Sequence, residues 1–313
     1  MAAPHTSGEI LDVNTRYHDV AADSYDAKWG IDFGQSGQQQ VLLKLGKALG
    51  TKPRRGNFAR SLEIGSGTGY FSLNLLQAGI IEEAVCTDIS PGMLAALNAN
   101  AKRLGVQVRT VRSEAGRLPF ADESFDLVLG HAVLHHLPNL AESFVDFHRL
   151  LRPGGTVAFA GEPSRYGDRI ARVPKYGASV AAPLWRRLLG ARALSHDPNE
   201  DHDHTLEQYV DVHAFSPSEL ADFARNAGFT DVRVRGEELL ANWFGWANRG
   251  LEATAEPDDV PLLWRQYAYH GYLLLQRLDG SLLEPHLPPA IFYNLMISGR
   301  RSEGPQPTSP AAR

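Results

Sequence analysis

Three features of the sequence predict an α/β fold built around a parallel sheet. A short apolar run at residues 62–64 ends in a turn with glycines at positions 65, 67 and 69. Apolar residues then recur at helical spacing at positions 71, 75 and 78. A second apolar run, residues 83–88, ends in a carboxylate and is followed by another helical pattern. Strands that alternate with helices in this way form βαβ units, whose strands run parallel.

The composition is that of a globular protein and excludes several classes. The 313 residues, 43% of them hydrophobic, suffice for one large α/β domain with additions. The net charge of −5 argues against a nucleic-acid partner. The single cysteine, Cys86, excludes an intrachain disulfide framework and favours a reducing, cytoplasmic location. No apolar run reaches the ~20 residues needed to span a bilayer, and no signal peptide is expected at the N-terminus.

The glycine turn predicts a ligand site. Glycines allow the backbone to approach a ligand closely, and the start of the following helix offers free N–H groups. Three glycines at alternate positions therefore favour a ligand over an ordinary strand–helix connection. The dinucleotide fingerprint G-x-G-x-x-G requires a glycine where Tyr70 stands, so an NAD-dependent oxidoreductase is disfavoured.

Residues 63–69, Glu-Ile-Gly-Ser-Gly-Thr-Gly, resemble the first motif of class I S-adenosylmethionine-dependent methyltransferases. Further motifs extend the resemblance over residues 57–163 and 216–235. It implies a Rossmann-like, doubly wound, seven-stranded and mostly parallel sheet with helices on both faces. It also implies S-adenosylmethionine as cofactor, and the residues of this motif expected to bind it are Glu63, Gly65, Ser66, Gly67 and Gly69.

The end of the second strand is expected to hold the cofactor's ribose. Asp88 follows Gly69 at about the spacing from which an acid reaches ribose hydroxyls. A carboxylate can accept hydrogen bonds from both hydroxyls of one ribose. The next residue, Ile89, is also expected to contact the cofactor. The alternative is a carboxylate that only caps the helix beginning at Ser90-Pro91.

The passage after the third strand, predicted at residues 106–111, is expected to meet adenine. In the resembling family, an acid followed by a small residue stands here, and this chain has Glu114-Ala115. A carboxylate accepts the adenine amino hydrogen, and a backbone N–H donates to a ring nitrogen. The family often has Asp at the position of Glu114. Because Glu is longer by one methylene, the contact of the backbone N–H with adenine is expected more strongly than the contact of the side chain.

Polar residues at the ends of the fourth and fifth strands are the predicted catalytic candidates. His131 follows the fourth strand, residues 125–130, at the sheet edge where ligands bind, and is expected near the cofactor or the acceptor. Glu162 follows the fifth strand, residues 156–160, and is expected to orient the acceptor or act as a base; a solvated loop acid is the alternative. The pair His135-His136 is typical of small-molecule and lipid methyltransferases and is expected to pack and hydrogen-bond.

The region before the core is predicted to cover the site. Residues 1–56 form an N-terminal helical lid segment, with loose residues 1–10 and a helix at residues 37–49. Tyr17 and Tyr25 are candidates to touch the cofactor in this lid, or else to pack as ordinary aromatic residues. The cofactor-binding core is assigned to residues 57–163 and 216–240.

Residues 164–215 interrupt the regular pattern and are predicted to form an inserted lid or acceptor region. Residues 165–192 hold seven Lys or Arg residues and one acid, whereas residues 195–211 hold six acids and no Lys or Arg. One interpretation is a lid whose halves attract each other; another is a basic face for an anionic acceptor or a membrane surface. The histidines and acids of residues 196–204 lack the spacing of a metal site, so no metal is expected.

The C-terminal part is predicted to complete the fold and then cap it. Ser216-Pro-Ser-Glu219 forms a capping box at a helix start, and residues 229–234 form a late strand. Residues 241–299 are assigned to a helical cap over the acceptor pocket, or to an oligomer contact such as a homodimer. Trp243 joins the tyrosines as an aromatic face for a sulfonium. Residues 300–313 are expected to be a disordered tail.

The resemblance implies methyl transfer to a nucleophile on a small-molecule or lipid-like acceptor. Some amino-group methyltransferases carry Asn-Pro-Pro-Tyr or Asp-Pro-Pro-Tyr after the fourth strand, where this chain has His131-Ala-Val-Leu, so exocyclic base amines are not the expected acceptors. Oxygen, nitrogen and carbon nucleophiles all remain open. The alternative is a non-catalytic cofactor-binding or interaction protein of the same fold.

Overall fold

The computed structural model describes residues 6–194, 210 and 212–303. Its centre is a seven-stranded sheet in the order β3-β2-β1-β4-β5-β7-β6. Strand β7 runs antiparallel to both of its neighbours, and the remaining pairs are parallel. This confirms the predicted Rossmann-like, mostly parallel sheet. The strands are β1 (Phe58–Ile64), β2 (Ile81–Asp88), β3 (Arg109–Arg112), β4 (Phe125–His131), β5 (Leu151–Pro163), β6 (Thr230–Glu237) and β7 (Asn294–Arg300).

Helices cover the sheet on both faces. One apolar layer includes Phe144, Phe147 and Phe159, and a second includes Val41 and Phe71. Within the described residues, no helix is both long and apolar enough to span a lipid bilayer. The helices are α1 (Ser7–Ala21), α2 (Tyr25–Trp29), α3 (Gln35–Leu49), α4 (Tyr70–Gln77), α5 (Pro91–Leu104), α6 (Leu140–Leu150), α7 (Arg165–Leu189), α8 (Pro217–Asn226), α9 (Leu240–Glu252) and α10 (Leu262–Leu278).

Hydrogen-bonding side chains define several helix starts. The predicted capping box at α8 is present, with the Ser216 side chain accepting from the Glu219 N–H and the Glu219 side chain accepting from the Ser216 N–H. A second capping box, Thr6 with Glu9, begins α1. Residues 1–10 were expected to be loose, so α1 corrects that expectation from Ser7 onward; residues 1–5 lie outside the described part.

The end of the chain differs from the prediction. Residues 294–300 form β7, an interior strand between β5 and β6, rather than part of a helical cap. Leu295, Met296 and Ile297 are all buried because helices α3 and α8 pack against β7 in addition to its two neighbouring strands. Such a continuous apolar run lacks the alternation that identifies a strand from sequence. The predicted disordered tail begins at Arg300, yet Arg300 belongs to this strand and the Arg301 N–H donates to the Gly155 carbonyl at 2.9 Å; residues 304–313 of that tail lie outside the described residues.

Strand β5 is longer than the predicted residues 156–160. It begins at Leu151 and continues to Pro163, with irregular pairing near its start. Gly154 has a φ of +79°, a value that its lack of a side chain permits. The register shift between Phe125 and Leu127 of β4 accommodates this local irregularity.

The inserted region contains a long helix, α7, that packs through small residues. Its buried side includes Gly167, Ala171, Ala178 and Ala182. A Cβ added at Gly250 of α9 would lie 3.0 Å from the Ala178 Cβ, which shows how closely α7 and α9 approach. Helix α10 packs on the other side of α9, where a Cβ at Gly271 would meet the Phe244 ring at 2.6 Å. The acidic segment predicted to attract α7 lies mostly outside the described residues.

Candidate functional site

The glycine turn after β1 has the backbone conformation that its sequence predicts. Gly65 and Gly67 have φ values of +58° and +50°, in the left-handed region that favours glycine. A Cβ on Gly65 would lie 2.3 Å from Cγ2 of Val133, so a side chain there would force the loop after β4 to move. A Cβ on Gly67 would meet nothing within 4 Å. The turn therefore packs tightly at Gly65 and presents bare backbone at Gly67.

A cavity of about 390 Å³ lies beside this turn, at the carboxyl ends of β1, β2 and β4. This is the edge of an open parallel sheet at which ligands bind. Seven of the ten residues predicted to bind the cofactor line it. They are Gly65, Gly67, Asp88, Ile89, Glu114, Ala115 and His131.

Asp88 links the turn to the start of α5 and faces the cavity. Its Oδ2 accepts from the Gly67 N–H at 2.8 Å, and its Oδ1 accepts from the Ser90 N–H at 2.9 Å. Each carboxylate oxygen has two lone pairs, so each retains the capacity for one further donor. Burial raises the pKa of Asp88, opposed by the hydrogen bond from Ser90 and the nearby His18. The Asp88 carboxylate therefore holds the backbone at the start of α5 and is also a candidate to bind a ligand in the cavity.

The three other predicted cofactor residues, Glu63, Ser66 and Gly69, do not line the cavity and instead hold the turn. The Glu63 carboxylate accepts from the Ser72 N–H at 3.0 Å in the first turn of α4, and burial raises its pKa to about 7. The Ser66 N–H donates to the Thr87 carbonyl at 2.9 Å, which ties the turn to β2. Gly69, with a φ of +93°, is the residue that precedes α4. Their contribution to ligand binding is therefore through the shape of the loop.

Glu162 occupies a different place from the one predicted. Its side chain is fully buried, and its Oε1 accepts from the N–H groups of Val133 and Leu134, each at 3.0 Å. Its Oε2 accepts from the His135 N–H at 3.1 Å and from His135 Nδ1 at 2.8 Å. Four donors occupy the carboxylate, and the residue does not line the cavity. Glu162 thus shapes the loop after β4, which corrects the expectation that it faces an acceptor or acts as a base.

His131 lies at the end of β4 with its imidazole stacked on Phe71, the ring centroids 4.9 Å apart. On the opposite side the backbone is close, since a Cβ on Gly161 would lie 2.8 Å from His131 Nε2. Burial, assisted by the positive charge of Lys44, lowers the pKa of His131 to about 3. The ring is therefore neutral at physiological pH, and it can orient a ligand by hydrogen bonding. Such a low pKa makes it a poor general base.

The two histidines after β4 have different surroundings: His135 packs inside the fold, and His136 lines the cavity. His135 is held by Glu162, as expected of a packing residue. His136 Nδ1 lies 2.9 Å from the Val210 carbonyl and must donate to it, so its Nε2 carries the lone pair of the neutral ring. Burial lowers the pKa of His136 well below its usual value. His136 lines the cavity and packs edge-on against His18, which sequence reasoning did not single out.

Helix α1 covers the cavity; it lies within the predicted N-terminal lid segment, but the helix itself and its lining residues were not predicted. Its residues Leu11, Asn14 and His18 line the cavity, as does Tyr25 at the start of α2. Tyr17 packs with Val13 and Val210 instead. The capping-box pattern Thr6-x-x-Glu9 is the sequence signal that predicts this helix. Of the aromatic candidates, Tyr25 is the one beside the cavity; Trp243 on α9 is not among its lining residues.

The described residues contain no cluster of side chains suited to bind a metal ion. No group of three or more His, Cys, Asp or Glu side chains is arranged there to hold one. The segment 196–204, from which no metal was expected, lies outside these residues. The cavity lining combines glycine backbone, the buried carboxylate of Asp88 and the neutral imidazoles of His131 and His136 with further polar residues such as Glu114 and Arg117.

Comparison with known proteins agrees with this architecture. Residues 62–159 match a family described as a methyltransferase domain. The chain is 33% identical over 238 residues to the malonyl-[acyl-carrier protein] O-methyltransferase of Methylococcus capsulatus, covering 70% of this chain and 72% of that protein. It is 37% identical over 191 residues to the demethylmenaquinone methyltransferase of Roseiflexus castenholzii, covering 60% and 74%.

Solved structures share the fold at lower identity. A phosphoethanolamine N-methyltransferase 2 of Haemonchus contortus, in complex with phosphomonomethylethanolamine and S-adenosylhomocysteine, aligns with a TM-score of 0.59 at 16% identity. That alignment covers 96% of this chain and 61% of the other. Two other relatives in sequence are matched over less than two thirds of their own length. This chain spans 64% of the length of a Mycobacterium tuberculosis protein and 12% of a highly reducing polyketide synthase of Aspergillus aculeatus, each at 27% identity.

Proposed function

Since the chain belongs to the class I S-adenosylmethionine-dependent methyltransferases, we propose that it methylates a small-molecule or lipid-like acceptor at the cavity beneath α1 and α2. The observation that carries the proposal is the convergence of seven residues of the cofactor motifs on one cavity, closed over by Leu11, Asn14, His18 and Tyr25. A covered cavity of about 390 Å³ suits a cofactor with a small or narrow acceptor group better than a bulky folded substrate.

The residues around the turn fit the cofactor. In the proposal, the open space at Gly67 admits the nucleoside close to the backbone, and the remaining lone pairs of Asp88 accept the two ribose hydroxyls. Glu114 and the Ala115 N–H meet the adenine. The buried Ser66 Oγ, which has no hydrogen-bond partner among the described residues, adds a polar group to this loop. Ile89 contributes an apolar wall.

Catalysis in this proposal depends on alignment and on exclusion of water. S-adenosylmethionine supplies a methyl group already activated by a sulfonium. The chain's part is to hold the nucleophile in line with that methyl group, and helices α1 and α2 keep solvent from the site. Neutral His131 orients the acceptor through a hydrogen bond, because its pKa of about 3 leaves it little basicity. His136, also neutral, adds a second imidazole to the cavity lining.

The acceptor class follows from the relatives and from the lining. One relative is named for a malonyl-[acyl-carrier protein] and another for demethylmenaquinone, a small acyl group and a lipid. Apolar residues Leu11, Ile64, Val133 and Leu137 line the cavity together with the polar groups above. We further propose a cytoplasmic location, which suits the single, buried and unpaired Cys86.

The test is transfer of an isotopically labelled methyl group from S-adenosylmethionine to a panel of acceptors. The panel contains malonyl-[acyl-carrier protein], a demethylated quinol and small amines and phenols. We expect a labelled product with a small or lipid-like acceptor. A substitution His131→Phe keeps the stacking surface and should reduce turnover by a larger factor than it weakens the binding of S-adenosylhomocysteine. Binding of S-adenosylhomocysteine without product from any acceptor would instead support the non-catalytic alternative.

A further inference from the structure

Helix α7 presents its large apolar residues to solvent. Val173, Tyr176, Val180, Leu184 and Leu188 are between 63% and 76% exposed, and their spacing of three and four residues places them on one face. The face that packs on the protein holds Gly167, Ala171, Ala178, Ala182 and Trp185. A surface helix of a water-soluble domain normally shows the reverse arrangement. The apolar stripe of residues 173–188 is thus directed away from the fold.

Arginines border this stripe. At about 100° per residue, Arg169 and Arg187 lie at its edge, and Arg165 and Arg172 lie farther along the same flank. The guanidinium of Arg169 lies 5.8 Å from the ring centroid of Tyr166, itself half exposed beside the stripe. Long arginine side chains can cover apolar surface with their stems while their charged ends reach polar groups.

The charge of α7 is opposite in sign to that of the whole chain. Residues 165–192 contain seven Lys or Arg residues and the single acid Asp168, whereas the chain carries a net charge of −5. Asp168 lies 3.8 Å from both Arg172 and Lys175. For Arg169 and Arg187, no carboxylate partner lies within salt-bridge distance in the described part of the chain, so their charge remains available.

A second helix also exposes large apolar residues. Helix α10 exposes Leu262, Leu263 and Tyr267, each more than half exposed. The two helices meet through Trp185 and Trp264, whose ring centroids are 5.2 Å apart. Twelve of the eighteen exposed large apolar side chains in the described residues belong to α7 or α10. Single exposed apolar residues need no explanation, but a concentration of this kind marks an interaction surface.

We propose that the exposed face of α7 docks this protein onto an anionic lipid surface. A helix with one apolar face, arginines beside it and low overall hydrophobicity lies in the plane of a membrane interface. Anionic headgroups would complement Arg169 and Arg187, and the valines and leucines of the stripe would enter the boundary of the acyl chains. A second copy of the chain is a poorer occupant in an antiparallel two-fold contact along α7, because that arrangement brings the same arginine flank of both copies together.

The test uses the full chain and vesicles of defined composition. Because Cys86 is buried, Gly177→Cys allows a single environment-sensitive dye to be attached on the outward side of α7, where an added Cβ meets nothing within 4 Å. We expect a blue shift of the dye and co-flotation with vesicles that contain phosphatidylglycerol, and at least a tenfold weaker response to pure phosphatidylcholine. The same dye at Ala95→Cys on α5 is the control and should not respond.

Two pairs of substitutions separate the apolar and electrostatic contributions. Val180→Ser with Leu184→Ser should weaken vesicle binding at least tenfold, because these residues lose the apolar area that enters the interface. The pair Arg169→Gln and Arg187→Gln should weaken vesicle binding roughly fivefold per arginine. This effect should become smaller as the salt concentration rises. The matched control is Val145→Ser on α6, which removes an equally exposed valine and should leave binding unchanged.

Three outcomes would overturn the proposal. One is the absence of binding to anionic vesicles at low salt by both the unlabelled chain and the labelled one. Another is that the variant carrying both Val180→Ser and Leu184→Ser binds vesicles as strongly as the Val145→Ser control. The third is sedimentation of the wild-type chain as a dimer that the same two substitutions dissociate, since the face would then be an interface between copies. Circular dichroism and thermal unfolding establish that each variant is folded.

Discussion

Replacing Asp88 by Asn tests the assignment of the cofactor site, because the change keeps the shape of the side chain and removes its charge. Asp88 now accepts one hydrogen bond on each oxygen, from Gly67 N–H and Ser90 N–H. An amide has a single oxygen, so one of these donors loses its acceptor, at a cost to folding of about 1–3 kcal/mol. The ribose loses a charged acceptor, and hydrogen bonds to charged groups contribute about 1.5–3 kcal/mol each.

The expected loss of cofactor affinity is about 2–4 kcal/mol, a weakening of roughly 30-fold to 1,000-fold. Isothermal titration calorimetry with S-adenosylhomocysteine measures it, and denaturant unfolding measures the separate cost to stability. Asp222→Asn is the matched control, because Asp222 is an exposed acid on α8 that pairs with Arg225. An Asp88→Asn variant that is folded and binds with wild-type affinity would refute the ribose assignment.

Three further predictions concern the loops and the buried charges around the site. Gly65→Ala should destabilise the fold by roughly 2–5 kcal/mol in urea unfolding, because a Cβ at its positive φ overlaps Val133; an unchanged midpoint would contradict this packing. Lys44→Met should cost about 3–5 kcal/mol, since it removes the closer partner of the fully buried Glu237, at 2.7 Å, and leaves only Lys47 at 3.6 Å; adding Glu237→Gln should restore part of the loss, and no restoration would argue against the pair. Relative to Glu63→Gln, the cofactor-free wild-type chain should lose unfolding free energy as the pH rises from about 4.5 to 7, because native Glu63, with its pKa raised to about 7, holds its proton more tightly than the unfolded chain does; the lowered pKa values of His131 and His136 act in the opposite direction in both chains and cancel in this comparison, and a difference that does not change with pH would rule out the Glu63 contribution.

The part of the site that sequence predicts well is the part held by local rules. A glycine turn between a strand and a helix requires positive φ, and Gly65 and Gly67 have it. Asp88 lies at the end of β2, where its spacing from the turn brings it into hydrogen-bond contact with Gly67. In both cases the residue type, the position and the consequence follow from a few neighbouring residues. The predicted parallel core strands and the Ser216 capping box succeed for the same reason.

The features that sequence reasoning missed depend on partners distant in the chain. Glu162 is placed at the predicted sheet edge, yet its direction is set by the N–H groups of residues 133–135, which only the folded loop brings together. Strand β7 follows about sixty residues of inserted helices and has no alternation, so its pairing with β5 could not be inferred from its pattern. The lowered pKa of His131 likewise depends on burial and on Lys44, which lies on α3.

The most direct test of the account is a crystal structure of the chain with S-adenosylhomocysteine. The account predicts the nucleoside beside Gly67, with both ribose hydroxyls on the Asp88 carboxylate and the adenine at Glu114 and Ala115, and with Tyr25 and α1 closed over it. A ligand bound elsewhere, or one whose ribose makes no contact with Asp88, would contradict it.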